Sequence, residues 1–383
     1  MEDFFVVQRD NEQTTAVFPG DTIGILGASG VCKELTLNAK RMGFRVITYV
    51  TTENNDISQL ADFTIVDRLD NVEHLQQFAE RCKIILFDPR LMDTRLYAFL
   101  NKYTELPQGS EVLEMSQDRV LEKAVIAGMG IDVVPYVTVV SLDDIYENIR
   151  EVGFPAQLLP TWGSPNNGLI LKSRSDIPQA NRLLDRGSYI LQSQMTDGME
   201  IVASVVKDMN GHQNIYPMVE NVYNDGRLTE SIVPARCSDT MQNTIVNLVD
   251  QIASQLTFLG TISIKFLINK NRIFVKEVQP GLQHEQNIFN LATNVNVYEE
   301  TLRSVCGMSL ADIKLETPAV MFDVLSDQMS DIRTQWLIKS NWNFYLNAFL
   351  MNKKEEKTKI GYVLVSGENT DQILEQIDNT SVL

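Results

Sequence analysis

Over the first hundred residues, short apolar runs alternate with amphipathic stretches. TIGIL at 22–26 is a continuous apolar run closed by GASG. Leu35, Ala39 and Met42 then recur at helical spacing until Gly43, a residue suited to ending a helix. Extended character resumes in RVITYV, and the alternation continues through FTIV, the amphipathic VEHLQQFAERC and KIILFD. Strands that alternate with helices in this way predict an open parallel sheet covered by helices. Around 107–118, PQGSEVLEMSQD turns polar and rich in turn formers, which predicts a boundary before a helix starting near Arg119. The next region holds further strands and a helix over Ile245–Phe258, carried by apolar positions 245, 248, 249, 252 and 256. The hairpin-like TISIKFLINKNRIFVKEVQPG at 261–281 follows, then a last helix stopped by Gly307. From about 316, AVMFDVL and KIGYVLVS flank a polar middle and predict a small, mostly β lobe. The expected organisation is a tail at 1–20, an α/β domain at 21–113, an α+β domain at 114–315 and the C-terminal lobe at 316–383, with no internal repeat.

Composition narrows the class. At 383 residues and 44% hydrophobic, the chain has apolar material for two or three packed domains. MEDFFVVQRDNEQTTAVFPG lacks a basic segment followed by an apolar stretch and a small-residue cleavage site, and no run reaches membrane-spanning length. A cytoplasmic protein with no membrane partner is expected. Cys32, Cys82, Cys237 and Cys306 stand far apart, a spacing that fits reduced, mostly buried thiols better than disulfides or zinc. A net charge of -17 with no basic stripe repels a phosphate backbone, so nucleic acid is not an expected partner.

GASGVCKE after a strand invites a dinucleotide-binding reading, because glycines let backbone approach a pyrophosphate at a helix N-terminus. The G-x-G-x-x-G spacing needs glycines at 29 and 32, where this chain has Ser29 and Cys32. A tight strand-to-helix turn is the better reading, and Glu53 is the single candidate ribose acid. A nicotinamide-dependent oxidoreductase therefore ranks last among the functional classes.

Taken in order, several segments resemble one family of ATP-grasp ligases, the N5-carboxyaminoimidazole ribonucleotide synthases. TIGILGASGVCKELTLNAKRMGFRV sits where that family has a strand, a G-G-G-Q-L-G-R turn and a helix ending in M-G. QLADFTIVD is similar to its A-D segment, and SQDRVLEKAVIAGMGIDVVPYVTV to its Q-D-R, E-K, G-I-P entry into the ATP-grasp domain. YPMVENVYNDGRLTESIVPAR resembles F-P-x-x-E-N-x-H, D-G-x-L, S-x-x-P-A-R in spacing and identity. LGTISIKFLINKNRIFVKEVQP and RSVCGMSL follow where the metal-binding hairpin and R-A-I-x-G-L-P-L belong, and TKIGYVLV stands in place of K-M-G-H. The resemblance implies a Rossmann-like pre-ATP-grasp domain, a central ATP-grasp domain and a small C-terminal lobe. It also implies ATP and magnesium as cofactors, bicarbonate and aminoimidazole ribonucleotide as co-substrates, and a homodimer.

The same resemblance carries individual residues. Arg119 of Q-D-R is retained for the phosphates, and its permanent charge suits that role. The lysine expected after F-P falls at Leu159, and the G-Y-D-G-K-G-Q loop corresponds to GSPNNGLI, without its lysine and stiffened by Pro165. Gln192 stands for a hinge glutamate, Glu200 is the retained glutamate for the ribose hydroxyls, and Tyr223 replaces the histidine of E-N-x-H. In the hairpin, Lys265 replaces the first metal-binding glutamate, Lys276 replaces the asparagine before the second, and Glu277 remains. GLQHEQN corresponds to the substrate-phosphate segment R-x-H-N-S-G-H, with Gly281 for the arginine and His284 and Glu285 out of pattern. FDPRLM replaces Y-E-F-E-N-V and leaves Asp88 and Arg90 as substitutes. The implied ATP set is Arg119, Gln192, Glu200, Tyr223 and Lys276; the substrate set is Asp88, Arg90 and His284; the metal ligand is Glu277. No catalytic residue is assigned.

A turn near 270–272 places Lys265 opposite Glu277, a cross-strand pair contributing about 0.2–1 kcal/mol. An ion pair there is favoured over a metal site, since one carboxylate between two ammonium groups is a poor ligand set for a hard cation. His74 and His212 are isolated on polar segments and read as surface residues, and Trp162, beside the loop, reads as loop packing ahead of a cover for adenine. Two functional readings stay open: a carboxyaminoimidazole ribonucleotide synthase with a rebuilt ATP site, and a non-catalytic paralogue that binds a nucleotide, metabolite or protein partner.

Overall fold

The computed structural model describes residues 16–53, 56–163, 168–184, 187–224, 226–351, 357–380 and 382. Most of the expected tail at 1–20, and residues 164–167 of the expected nucleotide-covering loop with Pro165, lie outside the described residues. Strands β1 (Thr22–Leu26), β2 (Arg45–Val50), β3 (Phe63–Val66) and β4 (Ile84–Phe87) form a parallel sheet in the order β3-β2-β1-β4. The helix Gly30–Arg41 joins the first two; Ser29 caps it by accepting the Cys32 N–H, which makes GASG the expected tight turn.

A second, antiparallel sheet takes β5 (Tyr136–Val139), β6 (Ala156–Pro160), β7 (Leu169–Leu171) and β8 (Tyr189–Ser193) in the order β5-β8-β6-β7. The large sheet contains β9 (Met199–Lys207), β10 (Gln213–Ile215), β11 (Val219–Asn224), β12 (Arg227–Val233), β13 (Gly260–Asn269), β14 (Arg272–Pro280), β15 (Ala319–Leu325), β16 (Trp342–Leu346) and β17 (Lys359–Ser366). Its order is β14-β13-β9-β11-β12-β15-β17-β16, with β10 paired to β9. The C-terminal strands thus extend the central sheet through the β12–β15 pairing and share its framework.

Both faces of this sheet are buried, and β9 shows why. Ile201, Ala203 and Val205 pack on the helix Asp239–Gln255 through Ile245, Val249 and Ile252. Val202 and Val206 face the other way, into a core with Phe289, Tyr298 and Leu302 and with Leu35 and Ala39 of the N-terminal domain. Side chains alternate across a strand, so one apolar run serves two cores, and each fully buried Ile or Val contributes about 1.5–3 kcal/mol. The helix expected over 245–258 starts six residues earlier, because Ser238 caps it through the Met241 N–H. It also ends earlier, at Gln255, since Leu256 is already extended with ψ 141°.

The hairpin β13–β14 turns through Lys270 (φ 48°) and Asn271 (φ 64°), the two left-handed residues of a type I′ turn. Lys265 pairs with Glu277, while Phe266 pairs with Val275, so Lys276 is the extra residue of a β-bulge. Val275 and Val278 consequently both reach the core. Lys276 and Glu277 are left to meet Glu200 and Lys265.

Candidate functional site

The bulged hairpin and its neighbour β9 build a charged cluster. Lys265 Nζ lies 3.0 Å from Glu277 Oε1 and 3.4 Å from Glu285 Oε1. Lys276 Nζ donates to Glu200 Oε2 at 2.5 Å, and Glu200 Oε1 accepts from the Tyr223 hydroxyl at 2.7 Å and Asn221 Nδ2 at 3.0 Å. Ser231 Oγ in turn donates to Asn221 Oδ1, fixing the amide. The register positions these groups: Glu200 faces Leu267 on β13 and Asn221 on β11, one step along from Lys265.

Burial alone lowers the Lys265 pKa, but Glu285, Glu277 and Glu200 together hold it well above the ordinary lysine value. Burial raises the carboxyls of Glu277 and Glu200, and the two lysines more than offset it, keeping both below the usual range. Lys265, Glu277 and Glu200 are therefore charged at neutral pH. The counter-ions are internal to the protein.

Arg119 opens the helix Arg119–Gly128, whose N-cap Asp118 accepts the Val120 and Leu121 N–H groups. Its guanidinium donates to Pro160 O at 2.8 Å and Gly163 O at 2.9 Å, which ties it to the end of β6 beside the 164–167 segment. It also sits in the field of Glu277. Gln192 is buried in β8, between Tyr136 and Gln157 in register, and Leu159 is buried in β6. Trp162 is 56% exposed, which corrects the expectation that it packs. Its backbone pairs with Asp118 in an isolated antiparallel bridge.

The substrate-set residues gather separately. Arg90 Nε and Nη2 clasp Asp88 at 3.0 and 2.6 Å, at the C-terminal end of β4. Burial raises the Asp88 carboxyl, and Arg90 more than offsets it. His284 Nε2 lies 2.7 Å from Asp323, whose other oxygen is 2.7 Å from Lys359 Nζ. Lys359 feels both Glu285 and Arg90, so Glu285 stands between the two clusters.

Asp323, Lys359, Asn221 and the Lys265 contact of Glu285 were not assigned from the sequence. A charged residue inside AVMFDVL was the available signal for Asp323, because its strand neighbours are buried. His74 and His212 are not isolated: His74 pairs with Asp67 at 2.5 Å and His212 with Asp208 at 3.2 Å, each partner being close in sequence. Burial pushes the thiol of Cys32 up to about 11 and those of Cys82 and Cys306 up to about 12, as expected for inert cysteines.

Magnesium does not fit the residues present. It asks for near-octahedral oxygen ligands at about 2.0–2.1 Å. The two carboxylates nearest the hairpin place are held by Lys265, and two like unit charges about 4 Å apart repel by about 4 kcal/mol at an effective dielectric of 20. A divalent ion beside that ammonium doubles the repulsion. Among the described residues, no group of three or more His, Cys, Asp or Glu is arranged to hold a metal.

These features define a class of protein. Residues 21–117 match the ribonucleotide synthetase preATP-grasp domain and residues 124–293 the ATP-grasp domain, so the chain belongs to the ATP-grasp proteins. Within that class it resembles the N5-carboxyaminoimidazole ribonucleotide synthases. It is 28% identical over 367 residues to the synthase of Bacillus subtilis (strain 168), covering 95% of this chain and 96% of that one. A crystal structure of an ADP complex of N5-carboxyaminoimidazole ribonucleotide synthetase aligns with TM-score 0.88 and 26% identity, covering 96% of this chain and 97% of the other. The Staphylococcus aureus enzyme complexed with ADP shares the fold at TM-score 0.88 and 22% identity, over 95% and 98% of the two chains.

Proposed function

We propose that this chain binds ATP in the cleft between the β5–β8 sheet and the β13–β14 hairpin, and acts as an ATP-dependent carboxylate–amine ligase on aminoimidazole ribonucleotide and bicarbonate. The observation that carries this is Glu200. It is charged, held by Lys276, Tyr223 and Asn221, and placed on the strand that follows β8. A carboxylate offers about four acceptor positions, so three internal donors leave one for a ribose hydroxyl. Arg119 and Lys276 supply cationic donors for the phosphates, and Gln192 and Tyr223 complete the nucleotide wall. Asp88, Arg90 and His284 form the ribonucleotide side, with Asp323 and Lys359 as their partners. Near full-length similarity to proteins named for this reaction supports the assignment.

The same reading takes the domains as 21–113, 114–315 and 316–383, the protein as a homodimer through its N-terminal domain, and its location as cytoplasmic. Among the described residues, no helix is long and apolar enough to cross a membrane. The ion pair of Lys265 with Glu277 and Glu285 favours one alternative, a nucleotide-binding paralogue without turnover. Phosphate release measured with ATP, magnesium, bicarbonate and aminoimidazole ribonucleotide separates the two. Release that requires all three substrates is the result the ligase assignment expects, and nucleotide binding without such release establishes the paralogue.

A further inference from the structure

The hairpin holds a positive charge, Lys265, at the position where the sequence resemblance implies a metal-binding glutamate. Exchanging a glutamate for a lysine changes the local charge by two units, which is the charge of one divalent cation. Lys265 Nζ sits among Glu277 at 3.0 Å, Glu285 at 3.4 Å and the nearby Glu200, as a small cation sits among carboxylates. We infer that the Lys265 ammonium is a resident cation in the place of a divalent metal, and that the cleft takes its nucleoside polyphosphate without one. This rests on the nucleotide-binding reading above and specifies its ionic requirement.

Geometry supports the role beyond charge. An ammonium has three donors, and with Glu277 at 3.0 Å taking one, donor capacity is left for a phosphate oxygen. Lys276 uses one donor on Glu200, its side chain is 35% exposed, and two donors remain. Glu285 Oε1 is buried and makes no hydrogen bond, so its charge is answered by the lysine through the field alone. Removing the ammonium would leave that carboxylate with only the more remote field of Lys359. Lys265 is therefore fixed in place and available at all times, whereas a dissolved metal binds and leaves.

The test is calorimetric titration of the full chain with ATP and with ADP, each in magnesium and in EDTA. The expected result is an affinity that agrees within about threefold between the two buffers, a difference under about 0.7 kcal/mol. A larger loss in EDTA overturns the inference while leaving nucleotide binding intact. No binding of either nucleotide in either buffer overturns the nucleotide-binding reading and this inference with it. Lys265→Glu recreates a cluster of carboxylates, so magnesium is expected to raise its thermal midpoint and to leave that of the unmodified protein unchanged. A midpoint of the unmodified protein that rises as much overturns the inference. Should Lys265→Glu fail to fold, the titrations of the unmodified chain decide alone.

Discussion

Lys265 and Glu277 face each other because the β-bulge at Lys276 shifts the register set by the two-residue turn at Lys270 and Asn271, which by itself would place Lys265 opposite Lys276. The sequence expects the same opposition from a turn near 270–272, whereas the structure reaches it with a turn one residue shorter and a bulge that no local pattern encodes. The third member of the cluster is not legible. Glu285 reaches Lys265 from a short helical turn beyond Gly281, whose φ of 70° redirects the chain, and no periodic pattern encodes that approach. The pair is also worth more than an exposed cross-strand contact, because the side chains of Lys265 and Glu285 are only 14% and 6% exposed. Lys265→Met keeps the bulk and removes the charge, leaving two carboxylates with no shared cation. Breaking a buried pair costs about 3–5 kcal/mol, and the partial exposure of Glu277 places this variant near the lower end. Urea denaturation measures it; a loss below about 1 kcal/mol, the scale of an exposed pair, would contradict the cluster's burial.

Elements whose signals are local were readable, and those set by long-range packing were displaced. The alternation of the first hundred residues gives the parallel sheet directly, because each strand and helix there carries its own period. The helix Asp239–Gln255 shows the limit: its apolar face marks its middle, while its start is decided by the Ser238 cap and its end by the turn into β13. Composition marks the C-terminal segment as a small, mostly β lobe but does not reveal that its β15 pairs with β12, in register from Glu230–Phe322 to Val233–Ala319. Strand partners far apart in sequence leave no trace in either strand alone. The bulge at Lys276 is another such case, and it sends two consecutive charged residues to the site.

Across the whole molecule, the charge buried beneath the hairpin links stability to pH. The Glu122 carboxyl accepts the Val278 N–H and lies near Glu277, Lys123 and Arg119. Burial pushes its pKa up to about 8, against about 4.3 for a carboxyl in the unfolded chain. The folded state then holds a proton that the unfolded chain has released, so this group's contribution is fully present below the unfolded value and is lost as pH rises through the folded one. Chemical denaturation of the unmodified protein is expected to show stability falling between about pH 5 and pH 8, and Glu122→Gln is expected to flatten that fall. Equal slopes in the two proteins would remove Glu122 from the account.

At this scale the proposed nucleotide site turns on the same hairpin, where Lys265 holds the carboxylates of Glu277 and Glu285. A crystal structure of the chain grown with ADP and magnesium tests this most directly. The account predicts nucleotide in the cleft with Lys265 still in contact with Glu277 and Glu285, and no metal on either carboxylate. Magnesium bound to Glu277 at about 2.1 Å, with the lysine swung away, would contradict it.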